Sequence, residues 1–131
     1  MIIRFTIEVM GKPPEMVDKT LRQVVKSFGE RYKIVHEDYS EIKQIEKSSL
    51  FSGFVEIEFE VENFEKLFAA VIDYGPTIVE VVEPSEIKVR NIELQSALSD
   101  LVAKFHQFSK AIQYLKVENM KLKEKIPPGS N

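Results

Sequence analysis

The sequence predicts an α+β fold: a sheet domain over residues 1–90 in the order β-α-β-β-α-β, then one long C-terminal helix over residues 91–126. Three observations carry this. In residues 1–10 and 53–62 apolar side chains alternate with polar ones, the period-two signature of a strand with one buried face. Two stretches opening at Pro13-Pro14 and at Asn63 place apolar residues at helical spacing. From Asn91 onward apolar residues recur at intervals of four and three without a break, which is a heptad repeat.

The first strand sets Ile3, Phe5, Ile7 and Val9 on one face and Arg4, Thr6 and Glu8 on the other. Gly11-Lys12-Pro13-Pro14 stops it, because proline cannot donate to a ladder yet suits the first turn of a helix. Val17, Leu21, Val24, Val25 and Phe28 then form one helical face, with Gly29 as the expected stop. Residues 31–47 predict an irregular second strand, entered at Tyr32-Lys33-Ile34-Val35, carried on by Ile42 and Ile45, and bent near Asp38-Tyr39-Ser40. Ser48-Ser49 marks a turn into the third strand, where Val55, Ile57, Phe59 and Val61 alternate with Glu56, Glu58, Glu60 and Glu62. Asn63 is a helix N-cap type. Phe64, Leu67, Phe68, Val71 and Ile72 give the second helix its apolar face, and Tyr74-Gly75-Pro76 ends it. Residues 77–83 read as a fourth strand closed by Pro84, with Ile87 and Val89 as a short edge extension. This order matches the ferredoxin-like split βαβ unit: a four-stranded antiparallel sheet with both helices on one face. The tail 127–131, Pro-Pro-Gly-Ser-Asn, is expected to be disordered.

In the long helix the heptad positions are Leu94, Leu98, Leu101, Phe105, Phe108, Ile112, Leu115, Asn119, Leu122 and Ile126. With Leu98 at a, Asn119 is the one polar residue, also at a, and leucine dominates d. That is the pattern of a parallel two-stranded, leucine-zipper-like coil. A helix of this length spans roughly 50 Å at ~1.5 Å per residue, more than a small sheet can cover. The expected partner is therefore a second copy of the chain, in a homo-oligomer with a parallel dimer favoured. Phe105 and Phe108 are large for a tight two-stranded seam, and Val102 and Ala111 widen the apolar stripe.

Composition narrows the chemistry. The chain has 131 residues and no Cys, which excludes disulfides, thiolate metal sites and cysteine nucleophiles. Net charge is −5 over residues 1–90 and +2 over residues 91–131, so no concentrated basic stripe marks a nucleic-acid footprint. The charged set is mostly Glu and Lys, a thermophile-like bias. No apolar run approaches the ~20 residues of a membrane helix, and no signal-peptide pattern opens the chain. The expectation is a soluble, cytoplasmic protein that binds neither membrane nor nucleic acid.

Catalytic candidates are absent. There is no nucleophile elbow, P-loop, dinucleotide fingerprint or zinc-protease motif, and no cofactor is implied. Of the two histidines, His106 falls at an outer heptad position and His36 lies beside Glu37 and Asp38, with no second His or Cys near to complete a metal site. The Glu56, Glu58, Glu60, Glu62 ladder reads as a solvated face, with Arg4 on a neighbouring strand to offset its repulsion. The segment Ser52-Gly53-Phe54-Val55-Glu56-Ile57-Glu58-Phe59 superficially resembles the third strand of the RNA-recognition motif, but Glu56 stands where a base-stacking aromatic is needed.

The turn Gly11-Lys12-Pro13-Pro14-Glu15-Met16, between the first strand and a helix, resembles the ligand loop of ACT domains. These share the β-α-β-β-α-β order and often bind amino acids between paired subunits. The resemblance covers residues 1–83 in topology, and its two prolines depart from the usual loop. It implies Gly11 and Lys12 as ligand-binding residues. Together the readings predict a non-enzymatic oligomeric interaction or regulatory module on a coiled-coil stalk, with a ligand-sensing ACT-like domain as the alternative. An enzyme with a site built between subunits is the third.

Overall fold

The computed structural model describes residues 1–125. It is α+β, with elements β1 (Ile2–Gly11), α1 (Pro14–Arg31), β2 (Lys33–Tyr39), β3 (Lys43–Gln44), β4 (Phe51–Glu60), α2 (Phe64–Tyr74), β5 (Ile78–Glu83) and α3 (Asn91–Lys125). The chain divides into two compact units, Met1–Val89 and Arg90–Asn131. Heptad residue Ile126 and the tail 127–131 lie outside the described residues.

In the first unit all strand pairs are antiparallel, in the order β2-β4-β1-β5, with β3 also paired to β4. Alternation decides which side becomes core. Ile3, Phe5 and Ile7 of β1 face Phe59, Ile57 and Val55 of β4, and all six are buried. Val17, Leu21, Val25 and Phe28 of α1, with Leu67 and Ala70 of α2, complete that core. Its centre is aromatic: Phe5, Phe28 and Phe59 meet edge-to-face with centroids 4.6–5.9 Å apart, an arrangement that stabilises the core beyond the area they bury.

Local signals explain the element ends. Pro13 caps α1 in extended conformation and Pro14 opens it. The Asn63 side chain accepts a 2.9 Å hydrogen bond from the Lys66 N–H, and Gly75 ends α2 with φ +53°, a left-handed conformation that a β-carbon disfavours.

Three expectations are corrected. The sheet has five strands rather than four, because the irregular second strand breaks at Ser40. There the Ser40 Oγ accepts from the Phe54 N–H at 2.9 Å while the Ser40 N–H donates to the Phe54 carbonyl, so a side chain stands in the ladder and the backbone turns away. The bend expected near residues 38–40 is accompanied by a register shift earlier, between Ile34 and His36. Gly29 does not stop α1; the helix runs to Arg31 and ends as Tyr32 turns extended, its ring packed 4.8 Å from Phe28. Ile87 and Val89 add no strand. Pro84 has no N–H to donate, and β1 supplies no residue to pair beyond Ile2, which already faces Glu83.

Gly53 holds a tight place in β4. A β-carbon there would lie 3.1 Å from Leu21 Cδ1, 3.2 Å from Ile42 Cγ1 and 3.4 Å from Val17 Cγ1. The bare backbone lets α1 and Ile42 close onto the strand, a role the RNA-recognition resemblance of this segment does not require.

Candidate functional site

The second unit presents the most extended candidate surface. α3 is one helix of 35 residues, about 52 Å long at ~1.5 Å per residue. Its heptad residues Leu94, Leu98, Phe105, Phe108, Ile112, Leu115 and Leu122 are 43–64% exposed, Leu101 is half-buried, and Asn119 is exposed among them. Scattered exposed apolar residues are ordinary, whereas a continuous apolar stripe along several helical turns is a candidate interaction surface. Tyr114, Val117 and Met120 add exposed apolar area outside the heptad positions.

In the first unit, the face of the sheet opposite the helices carries Arg4 at the centre of an ion-pair cluster. Arg4 sits opposite Glu58 of β4 and Glu80 of β5 in the strand register. Its Nε and Nη2 donate to Glu58 Oε1 at 3.0 and 2.6 Å, and its Nη1 donates to Glu80. The hydrogen bonds to Glu58, then Glu80, raise the guanidinium above its ordinary pKa. Of the remaining ladder, Glu60 lies 3.7 Å from Lys33, and Glu62 falls beyond the strand and pairs with Lys66 at 3.0 Å. Arg4 was legible as an offset to the ladder. Glu80 was not, because nothing local announces which residue of β5 faces Arg4. Phe54 is 43% exposed on this face, in register with Glu8, so a base stacking there would meet a carboxylate.

Gly11 ends β1 opposite Phe51, and Lys12 is exposed in the turn before α1. A depression of about 510 Å³ lies elsewhere, lined by Arg31, Tyr32, Lys33, Glu60, Val61, Glu62, Lys66 and Ala69. Its three basic residues each have a carboxylate partner: Arg31 with Asp73, Lys33 with Glu60 and Lys66 with Glu62. An anion entering there would compete with pairs already formed. Burial raises the hydroxyl pKa of Tyr32, and likewise that of Tyr39, whose ring lies under the Arg22 guanidinium at 4.4 Å.

His36 stands opposite Glu58 in the register of β2 and β4, and His106 is exposed on α3. Among the described residues no group of three or more His, Asp or Glu side chains is placed to hold a metal ion, and no helix is long and apolar enough to cross a membrane.

No curated protein and no solved structure matches the chain. One family model does, the MJ0538 family, over residues 2–129, which takes in both the sheet unit and nearly all of the C-terminal segment. A match of that extent is to the whole arrangement rather than to a shared module, and the chain belongs to the MJ0538 family.

Proposed function

We propose that this protein is a self-assembling interaction module, in which α3 pairs in parallel with α3 of a second copy and displays two sheet units at one end of the coil. The carrying observation is the exposed apolar stripe of α3, spaced 4-3-4-3 from Leu94 to Leu122. Asn119 supports the parallel, in-register, two-stranded form. Its amide meets its own copy only in that arrangement, and elsewhere it opposes apolar residues at a cost in stability. Glu118 at g faces Lys123 of the partner subunit at e in the same arrangement, which contributes little energy but agrees in orientation. The acidic sheet unit and the Arg4–Glu58–Glu80 pairs support an assembly that does not take nucleic acid as its partner.

The sheet order β2-β4-β1-β5 supports reading the Met1–Val89 unit as ferredoxin-like. An ACT-like extension of that reading would place a small ligand such as an amino acid between paired units near Gly11 and Lys12. Thermal shift with amino acids, nucleotides and divalent cations separates the readings: no stabilisation favours the interaction module, and a saturable rise in Tm favours ligand sensing.

Light scattering on the full chain tests the assembly. A dimer is expected, and Leu101→Glu with Leu115→Glu should give monomer or loss of solubility. A wild-type monomer at tens of micromolar overturns the coil, and a stable tetramer overturns the two-stranded form.

A further inference from the structure

The two edges of the sheet differ. β2 carries Lys33, His36, Glu37 and Asp38, and its register breaks between Ile34 and His36. Charges and bulges of this kind are how native edges avoid pairing with another chain. β5, the opposite edge, reads Ile78-Val79-Glu80-Val81-Val82-Glu83. Its four apolar residues are 39–52% exposed, although Val79 and Val81 stand in register with the buried Phe5 and Ile3. Its one mid-strand charge, Glu80, is engaged by Arg4. The register shift of β5 falls at Val82, which leaves residues 78–81 as an unbroken, uncharged edge apart from that engaged carboxylate.

We infer that β5 pairs antiparallel with β5 of a second copy, joining two sheets across the dimer axis. This rests on the parallel pairing of α3 proposed above. A strand of six residues offers far less than the roughly 1,200 Å² that a stable interface buries, so β5 does not hold two copies by itself. The coil supplies the proximity. Only residues 84–90 separate β5 from α3, a tether of at most about 25 Å at ~3.5 Å per residue. Parallel helices start at the same end, so both β5 strands are held near each other at an effective concentration on the order of millimolar. A two-fold contact is self-complementary, and edge strands related by a two-fold axis across them run antiparallel. Pro76 and Pro84 flank the strand and confine the pairing to this short segment, so that one contact forms and does not propagate.

The chain has no cysteine, so single spin labels report unambiguously on full-length protein. Glu83→Cys labels the end of β5 and Gln113→Cys labels the outer face of α3, away from its seam; electron–electron distances between copies are then measured. Pairing predicts one narrow Glu83 distance of roughly 15–35 Å, from two to five residues either side of the strand centre at ~3.3 Å each. Adding Val79→Lys and Val81→Lys should broaden that distribution and leave the Gln113 distance unchanged. A narrow Gln113 distance with a broad Glu83 distribution overturns the strand pairing while the coil stands. No intermolecular distance at either label overturns both. A narrow Glu83 distance that the lysines do not broaden also overturns the pairing, because something other than the β5 edge then sets it.

Discussion

Replacing Leu115 by Ala removes apolar area that the single chain does not use. Leu115 is 64% exposed on α3, so the truncation takes away little packing within the chain, and alanine is a better helix former than leucine. Complete burial of a leucine contributes ~1.5–3 kcal/mol. With about two-thirds of it still to be covered, pairing gains roughly 1–2 kcal/mol per copy and roughly 2–4 kcal/mol per dimer. At ~1.4 kcal/mol per tenfold, the dimer Kd should rise about 30- to 1000-fold. Sedimentation equilibrium across a concentration series measures it. Gln113→Ala, two residues away and outside the seam, is the matched control and should leave Kd within a few-fold. Helix content by circular dichroism should be unchanged in both at concentrations where each remains dimeric. Equal shifts for the two variants, or no shift for Leu115→Ala, would refute the assignment of the 4-3 stripe as the contact.

Further outcomes follow from other parts of the molecule. Asn119→Leu should raise the melting temperature and broaden the distribution of oligomers, read by light scattering; unchanged stability with a single mass would show that Asn119 does not sit in a seam. Gly53→Ala should destabilise the sheet unit by ~1–3 kcal/mol in urea unfolding, since Leu21 Cδ1 and Ile42 Cγ1 must both give way; a stabilised variant would mean that they yield freely. The pH dependence has a definite sign. Tyr32 and Tyr39 have hydroxyl pKa values raised above the usual 10.0 by burial, so the folded state resists their ionisation. Their contribution is fully present below the unfolded value near 10 and is lost as pH rises through the folded one. Tyr32→Phe should therefore flatten the alkaline loss of stability above that value, and an unaltered alkaline limb would remove Tyr32 as its source.

What could be read from residues alone was local. Alternation in β1 and β4 identifies the buried face because side chains on a strand must point to opposite sides. Asn63 and Gly75 bound α2 because a cap depends on the few residues around it. The long helix was legible to its described end, Lys125, because a 4-3 spacing needs no knowledge of what it packs against. The same locality misplaced Gly29, a good terminator by type, because Tyr32 packing on Phe28 decides where α1 ends. It also joined two strands into one, since the exchange of hydrogen bonds between Ser40 and Phe54 links residues fourteen apart. Glu80 facing Arg4, seventy-six residues away, follows from the register of β5 on β1, which no run of sequence around either residue encodes. The same holds for Gly53, whose missing side chain matters only once Leu21, Ile42 and Val17 have closed over it. Periodicity and caps are properties of a short stretch of chain, whereas register and close approach exist only after distant segments have met.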